Sequence, residues 1–130
     1  MLERFPVHAS VAAADIERAK AWYEEKLGLE PQKTDPGGGM WFEFAAGTWL
    51  YVYPSGAAGT ARNTVAGWTV TGIEEVMDRL RSRGVVFEEY DLPGIRTVDG
   101  LATWEGMARA AWFRDSEGNT FELSEVLLPA

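Results

Sequence analysis

The apolar and polar positions along this chain fall into two similar halves. In the first, Val7-His8-Ala9-Ser10-Val11 alternates as a strand and leads through Asp15 into a stretch where Ile16, Ala19, Tyr23 and Leu27 recur at helical spacing. In the second, Ala66-Gly67-Trp68-Thr69-Val70 leads into Ile73, Val76, Met77 and Leu80. Asp15 is placed to cap the first helix, and Gly28 to end it in the left-handed conformation. Thr71 with Glu74 predicts a capping box on the second helix, which Gly84 ends. A short strand is expected after each glycine. The charged residues Glu24, Glu25, Arg79, Arg81 and Arg83 read as solvated outer faces.

The repeat continues with a hairpin in each half. Met40-Trp41-Phe42-Glu43-Phe44, a turn at Gly47 and Trp49-Leu50-Tyr51-Val52-Tyr53 form the first. Ala111-Trp112-Phe113-Arg114, a turn over Asp115 to Asn119 and Thr120-Phe121-Glu122-Leu123 form the second. Each half is then a β-α-β-β-β module, the first over about 5–55 and the second over about 62–127, within a single domain spanning 1–130. Neither module buries its sheet alone. The second carries about 14 extra residues, concentrated between Asp91 and Gly106 and read as a long loop of functional or covering character. The Gly37-Gly38-Gly39 run reads as a turn, because no Lys-Ser/Thr follows and a strand comes next.

Composition narrows the chemistry. The chain of 130 residues has no cysteine and one histidine, His8. Disulfide frameworks, thiol nucleophiles, iron–sulfur clusters and cysteine zinc sites are excluded. So is any site within one chain that needs two imidazoles. A formal charge of −8 disfavours nucleic acid and leaves a neutral or cationic small molecule as the expected partner. No apolar run approaches the roughly 20 residues of a membrane span. Met1 to Pro6 shows no basic stretch followed by an apolar signal region, so a cytoplasmic protein without membrane partners is expected.

Asp15-Ile16-Glu17-Arg18-Ala19 opening the first helix, Trp22-Tyr23-Glu24-Glu25-Lys26-Leu27-Gly28-Leu29 closing it, and Trp112 through Leu123 at the end of the repeat together resemble one family. It is the vicinal oxygen chelate superfamily, which groups glyoxalase I, bleomycin-resistance proteins and extradiol dioxygenases. The resemblance covers essentially the whole chain. It implies an α+β fold of tandem βαβββ modules forming a cupped mixed sheet, with helices outside and ligands inside. It also implies that metal ligands, where present, come from the first and last strands of each module. By position these are His8, Val65, Tyr51 and Glu122. Valine ligates nothing and a neutral phenol is a poor ligand, so His8 and Glu122 form a degenerate metal site. A divalent metal there would need Glu43, Asp99 or the ligand to complete its shell.

Strand alternation names the expected lining of the cup. His8, Ser10 and Ala12 face inward, as do Val65, Gly67 and Thr69. Trp49, Tyr51 and Tyr53 face inward from the first hairpin. Pairing Arg114 with Thr120 sets Trp112 opposite Glu122, and Trp41 follows by symmetry. The ligand-binding residues are therefore Ser10, Trp41, Trp49, Tyr51, Tyr53, Thr69 and Trp112, with His8 and Glu122 as the candidate catalytic or metal-ligating pair. Aromatic walls with few polar groups suit a small aromatic or cationic molecule.

Three functions fit this reading. One is a binding protein of the bleomycin-resistance type, which needs no cofactor. Another is a glyoxalase-like lyase or isomerase, with Glu122 moving a proton, His8 as its partner, and Tyr51 or Ser10 stabilising an oxyanion. The last is an interaction domain whose cup is filled by its own side chains. Dioxygenase chemistry is disfavoured for want of a second histidine. A Ser10–His8 nucleophile is weaker still, since i,i+2 residues on a strand lie about 7 Å apart. A homodimer is expected from the edge strands of such a sheet.

Overall fold

Tyr23, on the first helix, packs against a ring from each half of the chain, and the architecture follows from that shared core. The computed structural model describes residues 1–127. The first module runs β1 (His8–Ala13), α1 (Ile16–Leu27), β2 (Lys33–Thr34), β3 (Met40–Glu43) and β4 (Trp49–Pro54). The second runs β5 (Ala66–Thr69), α2 (Ile73–Ser82), β6 (Asp91–Leu92), β7 (Ile95–Val98), β8 (Leu101–Trp104), β9 (Ala108–Arg114) and β10 (Thr120–Val126). The strands form two sheets, β1-β4-β3-β2 and β5-β10-β9-β8-β7-β6. Both are mixed: β1 runs parallel to β4 and β5 parallel to β10, with antiparallel pairs elsewhere. This is the expected α+β arrangement.

The core draws on one face of each sheet. Val11, Phe42, Leu50 and Val52 from the first module join Ile73, Met77, Phe113, Phe121 and Leu123 from the second. Tyr23 is fully buried, 5.4 Å from Phe42 and 6.3 Å from Phe121 between ring centres. Fully burying an aromatic of this size contributes about 2–3 kcal/mol, so α1 ties the two modules together. On β4 the alternate residues Trp49, Tyr51 and Tyr53 are only half-buried, as period-two geometry requires when one face meets the core.

The first helix is built as expected. The Asp15 side chain accepts from Arg18 N at 3.0 Å, and Gly28 ends the helix at φ 68°. The start of the second differs. Its N-cap is Gly72, in the left-handed region at φ 69°, with no side-chain cap, so the Thr71/Glu74 capping box does not form. Instead the Gly72 N–H donates to Glu125 on β10. Arg109 holds Glu125 at 2.6 Å and Glu74 at 3.2 Å, so a neighbouring strand supplies the carboxylate that the local sequence does not.

The stretch from Asp91 to Gly106 is not a loop. Its residues form β6, β7 and β8, which extend the second sheet beyond β9. Asp99 (φ 51°) and Gly100 (φ 79°) make the tight turn between β7 and β8, and only small residues adopt such a pair readily. Val85 to Glu88, where a short strand was expected, contributes a single bridge from Phe87 to Phe113.

The modules are also joined by a buried polar clasp at the β9–β10 turn. Asp115 accepts from Tyr23 Oη at 2.6 Å and from Asn119 Nδ2 at 2.9 Å, and Asn119 Nδ2 donates to Ala12 O at 2.8 Å. Glu117 accepts from Asp15 N at 2.8 Å and from Arg18 Nε at 2.8 Å. Arg18 holds the Glu117 carboxyl down at about 2. Burial, aided by Asp115, keeps the Tyr23 phenol protonated well above its usual range.

Candidate functional site

Opposite the core, each sheet presents a second face, and the sequence-predicted residues distribute between them. On the first sheet, β1 and β4 pair in register His8–Trp49, Ser10–Tyr51 and Ala12–Tyr53, while Trp41 on β3 pairs with Tyr51. The expected aromatics meet there. Trp41 lies 4.3 Å from Tyr51 and 5.8 Å, edge-on, from Trp49, and Tyr51 stacks on Tyr53 at 5.7 Å. His8 and Ser10 are exposed beside them. This is one continuous aromatic surface, half open to solvent.

One residue on this surface escaped the sequence reading. Asp35, in the turn between β2 and β3, accepts from Tyr51 Oη at 2.7 Å and from Gly39 N at 2.9 Å. The Tyr51 hydrogen bond holds the Asp35 carboxyl below its usual range, with Gly39 adding to the effect, and the same bond pushes the phenol up. A Cβ at position 39 would lie 2.4 Å from Tyr51 Oη and 2.7 Å from Asp35 Oδ2. The third glycine of the run is therefore more than a turn residue: its missing side chain leaves room for the pair. A phenol has a single O–H, and in Tyr51 it points to Asp35, so an oxyanion role for Tyr51 would require breaking that bond.

The second sheet confirms the predicted register of Thr120 with Arg114 and of Glu122 with Trp112. Trp112 Nε1 donates to Glu122 Oε2 at 3.1 Å. Trp112 is buried at 6% exposure, beneath Tyr90 at 5.4 Å and Trp104 at 6.4 Å, with Ile95 packed alongside. Two of these three covering residues, Ile95 on β7 and Trp104 on β8, come from the stretch Asp91–Gly106. Glu122 itself is half-buried.

Between the sheets, the edge strands β1 and β5 flank a groove of about 430 Å³ lined by His8, Trp49, Gly67 and Thr69 among others. Thr69 lies there, exposed. Gly67 stands opposite Glu122, and a Cβ on it would come 2.6 Å from the Glu122 carbonyl oxygen. Val65, expected on the inner face, packs against the shared core instead, because β5 begins only at Ala66.

The donors do not assemble a metal site. His8 belongs to the first sheet and Glu122 to the second. Asp99 lies in the β7–β8 turn, where its carbonyl oxygen accepts from Arg81, and Glu43 is exposed at the end of β3. Among the described residues no group of three or more His, Asp or Glu side chains converges as a metal ion would require. The residues of one chain do not fit a catalytic divalent ion, which normally takes three protein ligands.

Residues 6–123 match the model of the Glyoxalase/Bleomycin resistance protein/Dioxygenase superfamily. The chain belongs to this superfamily. No curated protein matches its sequence. Among solved structures it is similar to a glyoxalase/bleomycin resistance protein from Catenulispora acidiphila, at 22% identity and TM-score 0.72, covering 94% of this chain and 98% of that one. It is similar to UcmS2 at 20% identity and TM-score 0.72, covering 93% and 97%. A fosfomycin resistance protein, FosX, from Listeria monocytogenes, solved with Mn(II) and 1S,2S-dihydroxypropylphosphonic acid, shares 18% identity and a TM-score of 0.62, covering 89% and 85%. These likenesses establish the superfamily fold. Among the described residues no helix is long and apolar enough to cross a membrane.

Proposed function

We propose that this superfamily member is a small-molecule-binding protein, and that its ligand lies on the aromatic face of β3 and β4. The observation that carries the proposal is the half-exposed set Trp41, Trp49, Tyr51 and Tyr53, arranged as one surface beside His8 and Ser10. Rings that only filled a core would be covered, as Trp112 is. Large apolar side chains left in water are unfavourable by tens of calories per Å², and a planar ligand would recover that free energy. A formal charge of −8 favours a neutral or cationic ligand over nucleic acid. In this proposal Thr69 and the groove between β1 and β5 form the margin of the site toward the second sheet, where Glu122 and Trp112 lie one and two strands beyond β5.

The proposal includes a cytoplasmic homodimer. Its support is the exposed apolar set Leu2, Phe5 and Val7 near the N-terminus, with Met107, Val126 and Leu127 at one end of the second sheet. Tryptophan fluorescence titration with a panel of planar aromatic compounds tests the binding reading. Saturable quenching that Trp41→Ala and Tyr53→Ala both weaken is expected. A panel without a binder, or binders indifferent to both substitutions, would overturn it.

A lyase or isomerase reading retains one specific support. Glu122 is half-buried, with one oxygen held by Trp112 and the other without a hydrogen-bond partner among the described residues, an orientation suited to taking a proton. On that reading turnover disappears in Glu122→Gln while the fold is retained. Turnover that survives in this variant removes Glu122 from the chemistry.

A further inference from the structure

The aromatic face carries a fixed anion at its margin. Asp35 is half-buried; its two carboxylate oxygens accept well-formed hydrogen bonds from Gly39 N and from Tyr51 Oη, and the Gly37 N–H and the Trp41 indole add weaker neutral interactions. None of these donors is charged, so the negative charge is oriented but not neutralised. Lys33 stands opposite Trp41 on β2 and is the nearest cation by register. It forms no ion pair with Asp35 within 4 Å among the described residues. Tyr51, whose phenol holds the carboxylate, is the central ring of the row Trp41–Tyr51–Tyr53. The negative π-faces of that row and the carboxylate share one preference, for positive charge on an apolar or planar body. The absence of a side chain at Gly39 is what lets the phenol and carboxylate meet, so the arrangement is built into the turn rather than being a chance contact.

We infer that the ligand of this face is an organic cation, a planar aromatic or alkylated ammonium compound, with Asp35 as the counter-ion and Trp41 and Tyr53 as its stacking surfaces. The inference rests on the aromatic-face reading above and adds the charge class and the residue that selects it. Asp35 attracts the cation directly. Tyr51 acts through Asp35 as a positioning residue, and its ring also gains electron density from the hydrogen bond its O–H donates to the carboxylate.

The test uses the whole protein at low ionic strength, where an exposed charge pair is least screened, with three probes of similar shape. N-methylquinolinium is the cation, quinoline at pH 8 the neutral analogue, and 2-naphthoate the anion. In the unsubstituted protein N-methylquinolinium is expected to bind about tenfold tighter than quinoline, and 2-naphthoate weakest. Asp35→Asn should abolish the preference for the cation while changing quinoline affinity less than about twofold. Gly39→Ala, which displaces Tyr51 from Asp35, should reduce the preference in the same direction. Tyr53→Ala should weaken the cation and quinoline alike. Thermal unfolding and near-ultraviolet circular dichroism check the fold of each variant. Equal affinity for cation and neutral probe, or a preference that persists in Asp35→Asn, overturns the assignment to Asp35. In that outcome the aromatic-face reading still stands, provided quinoline binds and Tyr53→Ala weakens it. Absence of binding by all three probes overturns both.

Discussion

The two modules share a plan, yet their outer faces have opposite fates. Trp41 and Trp112 occupy corresponding positions, each on the strand next to the last of its module and each paired with the last strand's third residue, Tyr51 or Glu122. Trp112 is covered by Tyr90, Ile95 and Trp104, and its indole N–H is satisfied by Glu122. Trp41 is half-exposed, and its Nε1 has no well-formed hydrogen bond among the described residues, only a weak interaction with Asp35. The first module has no counterpart to β6 and β7, and its β2 (Lys33–Thr34) carries no aromatic like Trp104 of β8, so among the described residues its rings stay half-exposed. Ile95 from the added strands, with Tyr90 and Trp104, closes one face as core, while the other stays half-exposed. The free energy of the second face is already realised in folding. That of the first is, on the proposed reading, available for binding.

This contrast should be sharpest in paired truncations. Trp112→Ala is expected to lower stability by about 3–4 kcal/mol, the range for deleting a buried aromatic, whereas Trp41→Ala should lower it by about 1 kcal/mol and instead weaken ligand binding. Urea unfolding of both variants checks the difference, and equal losses would mean that both faces serve as core.

The clasp between modules ranks next. Glu117→Gln removes the charge that Arg18 and Asp15 N hold, and a loss of about 2 kcal/mol is expected for a buried carboxylate paired with a partly exposed arginine. Glu117 also predicts acid lability. Its folded pKa of about 2 lies below the ordinary 4.5, so its contribution is complete above pH 4.5 and disappears as pH falls toward 2. Thermal melts of the unsubstituted protein across that window should drop more steeply than those of Glu117→Gln.

Smaller effects are expected on the open face. Gly39→Ala should cost about 1 kcal/mol, because the new methyl meets Tyr51 and Asp35 rather than a rigid backbone. Near-ultraviolet circular dichroism should register the displaced tyrosine. His8→Ala should stay within about 0.5 kcal/mol, since His8 is exposed and makes no side-chain hydrogen bond among the described residues. A large loss there would show that His8 is buried in an assembly of two chains.

Much of this organisation was legible because period and spacing are local. Ile16, Ala19, Tyr23 and Leu27 had to share a helix face, and Trp49, Tyr51 and Tyr53 a strand face, whatever they packed against. The Arg114–Thr120 pairing followed from the length of the turn between them and set Trp112 beside Glu122 correctly. The strands within Asp91–Gly106 were missed although Asp99-Gly100 is a strong hairpin signal, because the flanking runs are short and carry few apolar residues. Asp35 was missed for a different reason: its partner Tyr51 lies on another strand, and only the cross-strand approach over Gly39 brings them together.

The sequence by itself determined the repeat, the superfamily and which side chains share a face, since each depends on the residue-to-residue geometry of a strand or helix. The tertiary structure alone decided which face is open and which is closed, where α2 finds its cap, and which carboxylate stands beside the aromatics. Those outcomes depend on residues far apart in the chain, and their free energies exist only once the two sheets and the added strands have folded.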